Sequence, residues 1–528
     1  MPNVSKTRSF STVFLIEMWE RFGYYGMQAL IIYYMVERLA FPDPPANLTW
    51  GAAAALIYVS PAIGGWVGDK FFGTRHTMLL GAIVLAIGYA LMVVPAHSSS
   101  FLFLALGVIA VGNGLFKANA GNLVRKIYEG DDAKIDSAFT IYYMAVNIGS
   151  TFSMLLTPVI KNYFNAPFNG QLTWLLGSNA QHLFGDNLGW HIAFAVCSVG
   201  LLVGLGNYFV MRHTLNFIGS DPDHQPMKLW KLAAVVAGGA VVVFISAFIL
   251  KERTVAQYFV LIAGVCVLLI FGYLIARCSH SEKPGLIIAL ILVVETVFFF
   301  IFYQQMSTSL NLFALRDVDP AFRLFGMHLF TWDPAQFQAL NPIWIFILSP
   351  ILAVTYTHFA RRGKDLSISA KFALGFAAVA IGFFIYGAAA HFTTSPGKTS
   401  QWIMVGGYGF GSLGELLTSG LGLAFVARYV PARMGGFMMG AYFVASGVAQ
   451  YLGGKVATFA SVPSTITDPV QMMPIYTKLF NWLGVAGIAC TVIALAVLPL
   501  MRRLDAKHAA HATLEPAMKG MPTVATEQ

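Results

Sequence analysis

Fourteen windows of about 20 mostly apolar residues recur along the chain, and they limit its fold more than any other feature. A helix of about 20 apolar residues can cross the roughly 30 Å hydrocarbon core of a bilayer. Backbone polar groups have no water to bind inside lipid, so such windows favour helices. We therefore expect an all-α polytopic membrane protein with about fourteen transmembrane helices. The windows begin near Phe10, Gly51, Thr77, Phe101, Ser137, Trp190, Leu229, Val255, Gly285, Asn341, Ser369, Gln401, Met434 and Met473.

The composition supports a lipid environment. Of the 528 residues, 57% are hydrophobic and 11% are charged, whereas a soluble domain has about 45–50% and about 25%. The first window carries Glu17, Glu20 and Arg21 in its middle and has no small-residue cleavage site, which excludes a secretory signal. The four cysteines have neither metal-ligand nor framework spacing. We expect no metal, no cofactor and no nucleic-acid partner.

Positively charged residues are unevenly distributed between the two sides of the predicted spans. With a cytoplasmic N-terminus, the inner segments hold about 21 Lys and Arg and the outer segments about 9. Since positive residues favour the cytoplasmic side, both termini are expected there. After Arg503 the sequence has no apolar period, and we expect a disordered tail.

Ionisable residues lie inside four of the predicted spans, although each costs about 2.5–3.5 kcal/mol near the bilayer centre. Glu17, Glu20 and Arg21 follow an i, i+3, i+4 spacing and share one helix face. Together, the ionisable residues predict a polar cavity with basic groups from the N-terminal half and an acid from the C-terminal half. Two alternatives stay open: the charges of the first span only hold helices together, or Glu295 snorkels or faces a neighbouring helix without a function. The other residues in these spans are Lys117, Glu295 with Gln304, and Glu415.

A glycine pattern in the span from Gln401 matches a dinucleotide-binding fingerprint by spacing alone. Gly409, Gly411 and Gly414 form a G-x-G-x-x-G sequence, but the fingerprint requires a preceding strand and a βαβ unit. Small residues within a membrane span allow helices to approach closely. We therefore expect these glycines to serve helix packing.

Several spaced motifs carry a family resemblance. The sequence GWVGDKFFGTR at 65–75 resembles the cytoplasmic loop motif of the major facilitator superfamily, and EMWERFGYY at 17–25 resembles the ExxERFxYY signature of proton-dependent oligopeptide transporters. The segment 139–150, ending in VNIGS, and GELL at 414–417 are similar to that family's fifth-helix and tenth-helix motifs. The resemblance extends from about Phe10 to Arg503.

The resemblance implies a major facilitator fold of two six-helix bundles with two extra helices inserted between them. The N-terminal bundle would occupy 1–213, the linker with the two additional helices 214–284, and the C-terminal bundle 285–503. The tail would occupy 504–528. The windows at Leu229 and Val255 fit the insertion. We expect the protein to function as a monomer.

The resemblance also assigns roles to residues. Arg21 and Lys117 would hold a peptide carboxylate, and Glu415 would hold its α-ammonium. Glu17, Glu20 and Arg21 would couple transport to protons. The backbone contacts and the pocket wall would come from Tyr25, Tyr58, Asn147 and Asn341, with Gln28, Glu295 and Gln304 as additional candidates.

These features together predict proton-coupled symport of di- and tripeptides into the cytoplasm by alternating access, in a bacterial inner membrane. A symporter of nitrate or another small solute, such as an amino-acid-like compound, is an alternative, although nitrate would not require Glu415. A proton/drug antiporter is another alternative, but we expect its cavity to lack a fixed Arg/Lys pole. A membrane enzyme would need a soluble domain or a catalytic cluster, and the sequence offers neither.

Overall fold

The computed structural model describes residues 5–96, 98–165, 187–362, 366–418 and 428–519, and these ranges are mainly α-helical. Two small antiparallel hairpins pair β1 (Ala321–Leu324) with β2 (Met327–Thr331) and β3 (Thr393–Ser395) with β4 (Lys398–Thr399). The α-helices are α1 Lys6–Tyr33, α2 Asp43–Trp66, α3 Thr74–Val93, α4 Ser99–Ile127, α5 Asp132–Asn165, α6 Leu188–Met211, α7 Leu229–Lys251, α8 Arg253–Arg277, α9 Lys283–Tyr303, α10 Ser309–Asp317, α11 Leu340–Arg361, α12 Ile368–Gly387, α13 Trp402–Thr418, α14 Ala432–Ala457 and α15 Pro469–Lys519.

Within the described ranges, eleven helical segments are long and apolar enough to cross a membrane. The short helix α10 continues α9 after a 3-10 turn at Gln304–Ser307, so the two belong to one span. The segments outside this group are α1, which carries three charges in its middle, and the glycine-rich α13 and α14. The prediction of an all-α polytopic membrane protein is confirmed.

The first and last parts of the chain meet along α2 and α14. Glycines permit this close approach: a Cβ on Gly51 of α2 would lie 3.1 Å from the Cα of Gly454 on α14. The inserted helices flank this core, with α7 against α4 and α8 against α14. Their outward faces expose large apolar side chains such as Phe244 and Leu268. Exposed apolar surface of this extent fits helices that face lipid.

The linker is held to the N-terminal helices by Asp223, beside the start of α3. Its buried carboxylate accepts hydrogen bonds from the backbone N–H groups of Arg75, His76 and Ser220, at 2.9–3.3 Å. Gly73, with φ of +103°, leaves the space that Asp223 occupies. Burial opposes ionisation of Asp223, but the hydrogen bonds from His76 and the backbone lower its pKa below the ordinary value. The Asp223 carboxylate therefore satisfies the first turn of α3 in place of a local cap.

The sequence predicts a disordered tail from residue 504, whereas the structure continues α15 to Lys519. Alanine-rich sequence has high helix propensity, and the preceding span has already nucleated the helix. Contacts with residues just before α14 also stabilise this segment. Asp505 lies 3.8 Å from Arg428, and the His508 ring packs 5.7 Å from the Tyr429 ring centroid. Residues 520–528 lie outside the described residues.

Candidate functional site

A central cavity lies between α1, α2 and α5 on one side and α9, α11, α13 and α14 on the other. The wall is aromatic and amide-rich, which suits a ligand with both apolar and hydrogen-bonding groups. The lining residues are Tyr24, Tyr25, Gln28, Trp50, Tyr58, Tyr143, Val146, Asn147, Ser150, Met154, Tyr303, Gln304, Met306, Ser307, Gln338, Asn341, Pro342, Glu415 and Gln450.

Seven of the residues named from the sequence line this cavity: Tyr25, Gln28, Tyr58, Asn147, Gln304, Asn341 and Glu415. The sequence analysis missed others, including Trp50, Tyr143 and Gln450. Tyr143 had a usable signal, because it precedes Asn147 by four residues and therefore shares its helix face. Trp50 and Gln450 had none, since their position depends on the packing of α2 against α14.

Glu415 is the carboxylate in the cavity wall. Its Oε2 accepts a 2.7 Å hydrogen bond from Asn341 Nδ2, and its Oε1 accepts a 3.2 Å bond from Tyr143 Oη. Asn341 is itself fixed by Ser412, with Nδ2 3.1 Å from the Ser412 hydroxyl. No cationic side chain of the described ranges lies within 4.0 Å of Glu415. The carboxylate is therefore oriented by neutral donors and can accept a cationic group of a ligand.

Glu17, Glu20 and Arg21 form a compact buried cluster on α1. Arg21 Nε lies 2.5 Å from Glu20 Oε2 and 3.3 Å from Glu17 Oε1. Tyr142 of α5 donates a 2.5 Å hydrogen bond to Glu17 Oε2. Two carboxylates thus share one guanidinium, and a proton on either carboxylate would leave a balanced ion pair.

The two cations predicted to bind the ligand do not line the cavity in this structure. Arg21 stacks 5.2 Å from the ring centroid of Tyr24, and Lys117 Nζ lies 4.7 Å from that of Tyr58. Both rings are part of the cavity wall. Among the residues described, Lys117 has no carboxylate within 4.0 Å. Each cation therefore lies behind an aromatic ring, and only Arg21 is neutralised by an ion pair.

Glu295 lies apart from the cavity. It is on α9 and is absent from the cavity wall. Its Oε2 is buried without a hydrogen-bond partner in the described part of the chain. The structure therefore does not bring Glu295 together with Glu415.

The cavity is closed at the end where α1 ends and α2 begins. Arg316 at the end of α10 forms a bidentate ion pair with Asp43 of α2, with both N–O distances 2.6 Å. Near the same end, Lys161 of α5 lies 3.6 Å from Asp333. Both pairs connect the N-terminal helices to the C-terminal helices. A ligand in the cavity cannot leave at this end without the pairs separating.

The described residues contain no group of three or more His, Cys, Asp or Glu side chains that could hold a metal ion. The cavity lies at the interface between two sets of membrane-spanning helices. Ionisable residues lie in or near its wall, in the middle of their spans. Sites of this kind, closed on one side and formed between helix sets, are typical of secondary transporters. The fold and the cavity therefore define a membrane transporter.

Comparisons with known proteins specify the family. The family model described as the POT family matches residues 75–479. The chain is 40% identical to dipeptide and tripeptide permease B of Salmonella typhimurium, over 95% of this chain and 96% of the relative. It is 42% identical to the permease of the same name from Edwardsiella piscicida, over 94% of this chain and 96% of the relative. The chain belongs to the POT family.

Solved structures agree. The crystal structure of tetrameric PepTSo2 is similar with a TM-score of 0.83 and 62% identity, covering 95% of this chain and 100% of that one. The crystal structure of the peptide transporter POT in complex with sulfate gives a TM-score of 0.75 at 26% identity, covering 94% and 95%. The predicted major facilitator fold and the predicted family are confirmed.

Proposed function

We propose that this protein imports di- and tripeptides together with protons by alternating access. The observation that carries the proposal is the cavity itself: among the described residues, the Glu415 carboxylate in its wall has no cationic side chain within 4.0 Å, and Lys117, behind the opposite wall, has no carboxylate within 4.0 Å. A peptide in solution is a zwitterion, with one ammonium and one carboxylate. Recognition of the two termini leaves the side chains free to vary, which fits a wall of tyrosines and amides.

The Glu17–Glu20–Arg21 cluster supports proton coupling. One buried Oε of Glu20 and one Nη of Arg21 have no hydrogen-bond partner in the described residues, so the cluster is incompletely satisfied. A proton on Glu20 would weaken its bond to Arg21 and leave the guanidinium free to turn toward the peptide carboxylate. Binding of the proton and binding of the peptide would then favour the same rearrangement.

The available driving force is sufficient for concentrative uptake. One charge moving through 100 mV supplies about 2.3 kcal/mol, and a pH difference of one unit adds about 1.4 kcal/mol. The total of about 3.7 kcal/mol would support an accumulation of about 500-fold for a neutral peptide carried with one proton.

The alternatives fit the cavity less well. A nitrate symporter has no use for Glu415 held by Asn341 and Tyr143 in the wall. A drug antiporter for cationic compounds would be disfavoured by Arg21 and Lys117 near the binding site. From the family and from the cavity, we infer that the protein is a transporter rather than an enzyme.

The orientation and assembly complete the proposal. The excess of Lys and Arg in the predicted inner segments over the outer segments supports cytoplasmic termini in a bacterial inner membrane. With this orientation, the Asp43–Arg316 ion pair would lie on the outer side. Residues 419–427, between α13 and α14, lie outside the described residues. We propose the monomer as the transporting unit, although PepTSo2 is described as tetrameric. We propose protons as the coupling ion and no cofactor.

Uptake into proteoliposomes tests the proposed function. We expect an inward proton gradient to concentrate labelled Ala-Ala, and an excess of unlabelled dipeptides or tripeptides to compete. Free amino acids and nitrate should not compete, because neither spans the two poles. Accumulation that is insensitive to the proton gradient, or competition by nitrate, would contradict the proposal.

Lys117 provides a separate prediction about the basic pole. Lys117→Ala should weaken binding of ordinary dipeptides by about tenfold or more, since a charge-assisted hydrogen bond contributes about 1.5–3 kcal/mol. C-terminally amidated dipeptides, which lack the carboxylate, should lose little affinity. Calorimetry in detergent measures both ligands, with Lys251→Ala at the exposed end of α7 as the control. Equal losses for both ligands would assign Lys117 to the ion-pair network instead.

A further inference from the structure

Tyr142 joins α5 to the Glu17–Glu20–Arg21 cluster of α1. Its hydroxyl donates a 2.5 Å hydrogen bond to Glu17 Oε2. Its neighbour Tyr143 lines the central cavity, whereas Tyr142 is absent from the cavity wall. Contact with a peptide in the cavity therefore does not explain the hydrogen bond between Tyr142 and Glu17.

A close contact between the two helices holds Tyr142 beside the cluster. A Cβ on Gly149 of α5 would collide with the Met18 carbonyl oxygen and would lie 3.2 Å from the Arg21 Cβ. Gly149 follows Tyr142 by seven residues, which is two turns, so the two residues share one face of α5. The absence of a side chain at Gly149 thus lets α5 approach α1 where the Tyr142 hydroxyl meets Glu17.

Hydrogen bonding distinguishes the two carboxylates of the cluster, which are both at most 2% exposed. Glu17 is engaged at both oxygens, because Oε2 accepts from Tyr142 and Oε1 lies 3.3 Å from Arg21 Nε. Glu20 Oε2 lies 2.5 Å from the same Nε, but Glu20 Oε1 has no hydrogen-bond partner in the described ranges. A buried negative charge is costly unless hydrogen bonds replace its hydration. The charge is therefore better satisfied on Glu17 than on Glu20.

Two carboxylates beside one guanidinium titrate as a coupled pair. The phenol makes the pair asymmetric, so a single proton should bind at Glu20 Oε1. Cys197 of α6 packs farther along α1, against Gly26. The other titratable groups that interact electrostatically with Glu20 are Tyr24 and Tyr25 of α1, Tyr89 of α3 and Lys117 of α4.

We propose that Tyr142 is a positioning residue of the coupling site: its hydrogen bond keeps the negative charge on Glu17 and directs the transported proton to Glu20. The inference rests on the proposed proton coupling and adds the residue that decides between the two carboxylates. With Glu20 neutral, Arg21 keeps one ionic partner in Glu17, and the rest of its guanidinium can bind the peptide carboxylate.

Calorimetry in detergent tests the assignment by measuring how many protons the protein takes up when it binds Ala-Ala. This number follows from the binding enthalpies in buffers of different ionisation enthalpy, and its pH profile reports the titration of the cluster before the peptide binds. Tyr142→Phe keeps the ring but leaves Glu17 without its donor, so the cluster should hold its proton to higher pH. We expect the midpoint of the profile to rise by about one pH unit or more.

Two further variants make the test specific to the hydrogen bond. Tyr89→Phe is the matched control, because the Tyr89 ring packs against Gly23 of α1 and its buried hydroxyl has no hydrogen-bond partner in the described part of the chain. Its midpoint should equal that of the wild type. Glu17→Gln removes the charge that the phenol stabilises, so the addition of Tyr142→Phe to this variant should not move the midpoint further.

The outcomes separate the role of Tyr142 from the proposed function. An unchanged midpoint in Tyr142→Phe, or an equal shift in Tyr89→Phe, would overturn that role while proton coupling stands. A further shift in the double variant would show that the phenol acts through a group other than Glu17, which also overturns it. Weaker binding of Ala-Ala at every pH with an unmoved midpoint would assign Tyr142 to helix packing alone.

The wild type tests the coupling itself. If it binds Ala-Ala without proton uptake at any pH, the proposed coupling fails and the role of Tyr142 fails with it. Tyr142→Met, a second side chain without a donor, should give a shift in the same direction and covers the case in which the phenylalanine variant does not fold.

Discussion

Glu415→Gln is expected to remove nearly all affinity for ordinary dipeptides. The variant keeps the shape of the side chain, and its amide oxygen can still accept from Asn341 while its NH2 group would donate to Tyr143 Oη, but it leaves the peptide ammonium buried without an anionic partner. Breaking a buried ion pair by removing one partner costs about 3–5 kcal/mol, which corresponds to a loss of about 100-fold or more in affinity. Calorimetry with purified protein in detergent measures the change.

N-acetylated dipeptides provide the decisive comparison. They lack the ammonium and should bind poorly to the wild type, so Glu415→Gln should affect them little. Glu295→Gln is the matched carboxylate change in the same half, and its position away from the cavity predicts a small effect on both ligands. A parallel loss for free and acetylated peptides would show that Glu415 does not bind the ammonium. A large effect of Glu295→Gln would move the acidic pole to α9.

Glu20→Gln is expected to abolish concentrative uptake while preserving some exchange of peptide for peptide. The amide resembles the protonated acid, so it removes the proton-dependent step without adding a charge to the buried cluster. Arg21 would retain Glu17 at 3.3 Å as its ionic partner. The loss should approach the whole gradient-driven accumulation, about 500-fold at 100 mV and one pH unit. Driven uptake and counterflow in the same proteoliposomes measure the two activities.

The exchange assay is the internal control for Glu20→Gln, because it reports a folded and cycling protein. Glu252→Gln, an exposed change between α7 and α8, should leave both activities intact. Gradient-driven accumulation by Glu20→Gln at the wild-type level would exclude Glu20 as the coupling carboxylate. Loss of exchange together with driven uptake would instead indicate that Glu20 holds the helices together.

The sequence alone determined the features that depend on short distances along the chain. Spans follow from windows of apolar residues, and the face shared by Glu17, Glu20 and Arg21 follows from the 3.6-residue helical period. The resemblance of EMWERFGYY and GELL to family motifs was equally local, and the comparisons confirmed the family. Seven candidate residues lie in the cavity wall, and most of them were named from the family resemblance.

Tertiary structure decided which side chains from different helices meet. Packing placed Arg21 and Lys117 behind the rings of Tyr24 and Tyr58, and it placed Glu295 away from Glu415. It also determined the space beside Gly411 of α13, which depends on where α9 and α12 lie. Contacts of Asp505 with Arg428 and of His508 with Tyr429 add to the local helix propensity after residue 504. Helical periodicity orients residues on one helix, whereas distances between helices depend on how side chains and glycines pack at each interface.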